Sequence, residues 1–416
     1  MGSNQNALAK PPRVVSPRRR VVRRVVAVVA VLAVAAVLVG GWRVIDFAFR
    51  VGEGAVAESS VASFYSSPTP APAAAVPGTV VRAESVVGAP PGSHAQRVLY
   101  HSTDVVGADT LVSGLVIVPD GPAPKDGRTI VSWAHPTTGT APRCAPSRGV
   151  APFALIEGLT DLLSDGYVVV ATDYAGMGIA GASSFLIGAT EAANVLDIAR
   201  ASRTMPDTGT SDRLILWGHS QGGHAALFAA ERVADYAPEL DLLGVGVAAP
   251  ATDLTRLLDA DIGDVSGVTI GAYAFDSYAR AYPSQLPEDP LGSILTPAGV
   301  AAVPRMVTLC LLGQNGELHA IATPLIGKFT SANPAVAPDW SELLVENSPD
   351  EHLAVPLFVA QGAKDTLIKP EITARFVAAR KADGTAVTSH VYPDADHATV
   401  ALTALNDLRA WMRTLT

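Results

Sequence analysis

Apolar positions along this 416-residue chain fall into three patterns. The first is an unbroken run, VVAVVAVLAVAAVLVGGW, residues 25–42, with no charge in it. Its length sits near the lower end of the roughly 17–25 residues that a membrane-spanning helix needs. The second pattern begins near Ser93, where short β-rich runs alternate with segments of helical spacing. AQRVLYHST (95–103) and TLVSGLVIVP (110–119) predict a leading antiparallel hairpin. RTIVSWAH (128–135), YVVVATDY (167–174), RLILWG (213–218), DLLGVGVAAP (241–250), VPLFVAQG (355–362) and AVTSHVYP (386–393) predict further strands. YVVVATDY is apolar without alternation, as expected of a strand covered on both faces. Helical spacing occupies FALIEGLTDLLSDG (153–166), SFLIGATEAANVLDIARASRT (184–204), QGGHAALFAAERVADY (221–236), EITARFVAARKA (371–382) and TVALTALNDLRAWMRTL (399–415). This βαβ order predicts an α/β fold, a mostly parallel sheet flanked by helices.

The third pattern is an interruption. Between residues 253 and 353 no core strand is visible. Short helical patterns such as AYAFDSYARAYP and AAVPRMVTLCLLG stand there instead, divided by prolines. The stretch is too long for a plain loop. It predicts an inserted helical cap at 253–353, with the core assembled from 94–252 and 354–416.

Charge changes the picture at the N-terminus. Seven of the 30 basic side chains lie in residues 1–24, and none of the 39 acidic ones does. The remainder is therefore more acidic than the chain's formal −9. Such a body repels phosphate backbones, and nucleic acid is excluded as a partner. Basic residues ahead of the apolar run keep a tail (1–24) inside and send the rest outside. The 25–42 segment reads as a transmembrane anchor, or as a signal sequence cleaved near Ala55-Val56-Ala57. Either way the body is exported, membrane-anchored or secreted. Residues 43–93, with SSPTPAPAAAVPG among them, read as a Pro/Ala/Ser-rich linker. Cys144 and Cys310 are the only cysteines. In an exported chain a lone pair suggests one disulfide.

Candidate chemistry centres on Gly218-His219-Ser220-Gln221-Gly222. It follows an apolar run and opens a helical one, as a nucleophile elbow requires. The turn is so sharp that side chains two positions either side of the serine collide, and glycine suits both. Ser220 is the candidate nucleophile, and it needs a base. For this elbow the order is serine, acid, histidine. His397, in VYPDADHATV, is the one histidine at a late strand-to-helix junction. His224, His319, His352 and His390 fall elsewhere. Asp365, in the loop after VPLFVAQG, is the favoured acid, with Asp253 the other serious candidate. Asp394 and Asp396 adjoin His397 in sequence, but their side chains do not naturally face its ring. For the oxyanion, the backbone N–H of Gln221 is one donor. The loop after TIVSWAH supplies the second, from Thr137 or Thr138, because Pro136 has no N–H.

GMGIAG (176–181) matches a dinucleotide fingerprint, but the acid about 20 residues on, Asp197, falls within a helical pattern. No HExxH and no Walker sequence occurs. No metal, nucleotide or other cofactor is inferred.

Taken together, SWAHPTTGTAPRCAPS, ATDYAGMG, GHSQGGHAA, the long insertion and QGAKDTLI…DADH resemble the secretory lipase family of α/β-hydrolases, over roughly residues 90–416. The resemblance implies an extracellular esterase or lipase acting on acyl-ester or lipid substrates, with the cap forming an acyl tunnel. It implies Thr138 as the second oxyanion donor, ahead of the Cys-x-Pro-Ser at 144–147. It also implies a Cys144–Cys310 disulfide tying that loop to the cap. The alternatives are an envelope acyltransferase using the same triad and a tethered binding protein on a catalytically dead scaffold.

Overall fold

The computed structural model describes residues 61–68 and 73–415. One nine-stranded sheet has the order β1-β2-β3-β5-β4-β6-β7-β8-β9. Its strands are β1 Val80–Val86, β2 Ser93–Thr103, β3 Asp109–Pro119, β4 Arg128–Ala134, β5 Val168–Thr172, β6 Thr210–His219, β7 Asp241–Ala248, β8 Leu357–Gly362 and β9 Val387–Tyr392. The β1–β2, β2–β3 and β3–β5 pairs are antiparallel. Every pairing from β5 through β4, β6, β7 and β8 to β9 is parallel. The predicted leading hairpin is β2–β3.

Side-chain alternation builds a core on each face of the sheet. Leu214 and Leu216 of β6 face one side with Val170, Val247 and the alanines of α2 (Gly188–Thr204) and α3 (Gln221–Tyr236). Ile215 and Trp217 face the other, with Val169, Phe358 and Leu408. Trp133 of β4 is in register with Trp217, their rings 5.7 Å apart. Strands buried on both faces have no polar side to show, which is why β5, β4 and β8 lack alternation.

Between β7 and β8 stand six helices: α4 Leu254–Asp261, α5 Val265–Ala281, α6 Pro290–Ile294, α7 Pro297–Met306, α8 Asn315–Ala322 and α9 Pro338–Glu346. Their starts are written in the sequence. Asp253, Asp264, Asp289 and Thr296 each accept a backbone N–H of the following turn, and proline opens α6 and α7. Phe275, Phe329 and Trp340 form their aromatic centre.

Helix boundaries differ from the predicted ones in three places. FALIEGLTDLLSDG yields only α1, Leu159–Ser164, because Gly158 turns left-handed at φ 87°. The next helix starts at Gly188 rather than near Ser184, since Leu186 sits at φ 55°. After α10 (Pro370–Ala382), the terminal segment breaks into α11 Val400–Thr403 and α12 Leu405–Met412.

The expected linker at 43–93 needs correction. It contains β1, an edge strand whose backbone pairing with β2 requires only a weak apolar pattern. It also contains Phe64 and Tyr65, both buried. Arg82 donates to the Ser63 carbonyl at 3.1 Å and to that of Phe64. The Arg97 guanidinium lies 5.6 Å from each ring. The Tyr65 hydroxyl meets Ser147 Oγ at 2.6 Å, and the Ser147 amide donates to Asp173 Oδ1 at 2.9 Å. Among the described residues no helix is long and apolar enough to cross a membrane. The predicted span at 25–42 lies outside them.

Cys144 and Cys310 form a disulfide across a sequence separation of 166, Cα atoms 5.3 Å apart. Gly139 makes room for it: it sits at φ 135°, where a Cβ would lie 2.7 Å from Cys144 Sγ. A loop of that length contributes about 5 kcal/mol on the chain-entropy argument. The double substitution Cys144→Ala/Cys310→Ala is therefore expected to lower the urea midpoint clearly. An unchanged midpoint would contradict this.

Candidate active site

Ser220 sits between the end of β6 and the start of α3 at φ 58°, ψ −118°. No β-carbon fits at the flanking glycines. At Gly218 it would lie 2.1 Å from the Gly222 carbonyl oxygen, and at Gly222 only 1.8 Å from that of Ala134. The turn is held by the Ser220 amide donating to Ala248 O at 2.9 Å, and by Ser220 O accepting from His224 and Ala251. The serine hydroxyl thus stands at the carboxyl ends of the parallel strands, beside the N-terminus of α3.

His397 and Asp365 come from the loops after β9 and β8. His397 Nε2 lies 2.9 Å from Ser220 Oγ, and Nδ1 lies 2.8 Å from Asp365 Oδ2. Asp365 Oδ1 accepts the amides of Leu367 and Ile368 at 2.9 and 2.8 Å, which fixes the carboxylate plane. Asp365 is buried, while His397 keeps a partly open edge. Asp253 is elsewhere, capping α4 and pairing with Arg256 at 3.0 Å. Asp394 faces Lys364, and Asp396 is tied to Thr399.

A cavity of about 370 Å³ opens on Ser220 and His397. Leu254, Leu257, Ile270, Phe275 and Tyr278, from α4 and α5, make much of its wall. The loop after β4 contributes Pro136 and Thr137. Thr138 is not part of this wall: it is buried, and its carbonyl accepts the amide of Leu311, which is. That loop is braced by His135, whose Nδ1 lies 2.6 Å from Pro136 O and whose ring lies 4.4 Å from that of Tyr174. Burial pushes the His135 imidazole below its ordinary range, favouring the neutral form there.

A second layer was not visible in the sequence. Glu191, fully buried in α2, accepts from the Gln221 side chain at 2.6 Å and the Leu186 amide at 3.0 Å. Its other oxygen lies 3.1 Å from His224 Nδ1. His224 Nε2 meets the Asn347 carbonyl at 2.8 Å, just past α9. The elbow, the start of α2 and the exit of the helical stretch thus share one polar network. The signal for it was a lone acid in the alanine-rich run GATEAAN.

The model of the family described as secretory lipase matches residues 155–312. That stretch is less than half of the chain, and over it the chain is similar to the secretory lipase family. Among similar proteins, lipase 6 of Candida albicans is 26% identical over 329 residues, covering 71% of this chain and 68% of the relative. A probable inactive lipase from Mycobacterium tuberculosis is 32% identical over 196 residues, and that alignment spans only 43% of the relative's length. The fold is that of Candida antarctica lipase A (TM-score 0.66, 19% identity, 78% of each chain). It is also that of a rice cell wall degrading esterase from Xanthomonas oryzae (TM-score 0.70, 18% identity, 82% of this chain, 99% of that one). At 19% and 18% identity these two likenesses are of fold alone.

The close approach at Gly222 gives a direct test. Gly222→Ala is expected to destabilise the fold by roughly 2–3 kcal/mol or to prevent folding, since a backbone carbonyl cannot yield cheaply. Gly263→Ala, where a Cβ meets nothing within 4 Å, is the matched control and is expected to melt with the parent.

Proposed function

We propose that the protein is an exported serine ester hydrolase that cleaves acyl esters through an acyl-enzyme on Ser220. The observation carrying this reading is the unbroken line Ser220 Oγ–His397–Asp365, with contacts of 2.9 and 2.8 Å, at the mouth of an apolar cavity. Ser220 Oγ attacks the ester carbonyl while His397 Nε2 takes its proton. Asp365 holds the Nδ1–H and stabilises the imidazolium. The Gln221 amide at the α3 N-terminus and the Thr137 amide receive the oxyanion, with Thr138 next in the same loop. His397 then returns the proton to the leaving alcohol. Water attacks the acyl-enzyme by the same route, freeing the acid and Ser220.

The wall of leucine and phenylalanine fits an acyl chain, which supports a lipid or other acyl-ester substrate. The helices between β7 and β8 act as the cap that shapes it. The disulfide and the family together support export. One relative is called probably inactive. Against a dead scaffold here stands the hydrogen-bonded contact of all three side chains.

Ser220→Ala is expected to abolish hydrolysis of a short p-nitrophenyl ester and labelling by a fluorophosphonate, with the melting temperature retained. Asp365→Asn is expected to lower kcat by roughly 10⁴-fold, as loss of the orienting carboxylate does in such triads. Parent-like turnover in either variant rejects the assignment. Release of free acid when a polyol acceptor is present, rather than a new ester, separates hydrolysis from acyl transfer.

A further inference from the structure

His219 stands between Gly218 and the nucleophile and has no part in the mechanism above. Its side chain is only 4% exposed, yet its ring lines the cavity and lies 5.1 Å from the ring of His397. Nδ1 is flanked by the Glu157 carboxylate, 3.1 Å from one oxygen and 3.3 Å from the other. A carboxylate only accepts, so Nδ1 is the donor of this pair, and in the neutral imidazole Nε2 is then left with a lone pair. Among the described residues Nε2 is buried and has no hydrogen-bond partner. The pair is built in advance, because the Glu157 carbonyl is itself held by the indole N–H of Trp217 at 3.1 Å.

A buried acceptor left unpaired costs about 1–3 kcal/mol, and a donor that arrives with the substrate removes that penalty. An ester group has no donor of its own. A free hydroxyl on the substrate supplies one. The wall from α4 and α5 is mainly leucine, isoleucine and phenylalanine, with Asp261 and Tyr278 its polar members, and it suits the acyl chain. His219 comes instead from the end of β6, Thr137 from the loop after β4 and Glu157 from the segment just before α1. The hydroxyl therefore belongs to the alcohol portion.

We propose that His219 Nε2 accepts a hydrogen bond from a free hydroxyl next to the scissile ester, making the site selective for partial glycerides over simple alkyl esters. A site that hydrogen-bonds a hydroxyl discriminates strongly against an analogue lacking it. The inference rests on Ser220 being the nucleophile.

The test uses the full chain and compares kcat/KM for 1-monohexanoylglycerol with that for its 2,3-di-O-methyl ether, which removes both donors and adds two methyl groups whose bulk His219→Phe leaves in place. The parent is expected to favour the free glycerol ester by at least about tenfold, the size of one such bond. His219→Phe keeps the ring shape and is expected to bring the ratio near one. Glu157→Gln replaces the acceptor-only carboxylate with an amide that can donate or accept, so Nδ1 is no longer held as the donor and Nε2 no longer as the acceptor. It is expected to shrink the ratio too, and it serves if the phenylalanine variant fails to fold. A parent ratio near one, or a ratio that survives both substitutions in folded protein, overturns the proposal. If no ester turns over and a fluorophosphonate leaves Ser220 unlabelled, the hydrolase reading falls and takes this one with it. Labelling thus distinguishes the two failures.

Discussion

The architecture of the site depends on how closely the start of α3 is pressed against the end of β4. Gly222 lies so near the Ala134 carbonyl that no side chain fits between them. That approach forces the positive φ at Ser220, a conformation costing on the order of 1–3 kcal/mol for a non-glycine residue. The strain persists because β7 overdetermines the turn through the Ser220 amide and the Ala248 carbonyl. The height of the Ser220 hydroxyl above the sheet, the placement of the Gln221 amide and the closeness of the Pro136–Thr137 loop all follow. Parallel strands then deliver Asp365 and His397 to the same rim, because their loops leave from the same end of the sheet.

A buried charge stabilises this arrangement only while all its partners are in place. Glu191 binds Gln221, His224 and the Leu186 amide at once, and His224 reaches Asn347. Asn347 in turn accepts the Gly188 amide and contacts the Tyr282 hydroxyl of the α5 terminus. The helices that wall the cavity are therefore joined to the elbow by polar contacts as well as by packing. The carboxylate that orients Gln221 and the contacts that seat α9 belong to one set.

How much of this could be read from the residues alone follows from the range of each interaction. The strand order, the elbow glycines and the late placement of Asp365 and His397 are written locally, as short apolar runs, punctuation and a known chain order. The fold brings together the three residues singled out on that basis. The polar second layer was hidden because its members are far apart: His224 lies 33 positions from Glu191 and 123 from Asn347. No periodicity links such pairs. Edge strand β1 was hidden for a different reason, since it is held through its backbone and shows little apolar pattern. Of the two neighbours Thr137 and Thr138, the first borders the cavity. One residue of register in a loop decides that, and composition says nothing about it.

The Cys144–Cys310 bond fastens the loop after β4 to the segment following α7. The Leu311 amide, next in that segment, donates to the Thr138 carbonyl of the same loop. A covalent tie and a hydrogen bond thus meet within two residues, so the loop bordering Ser220 and the helices inserted between β7 and β8 are constrained to shift together.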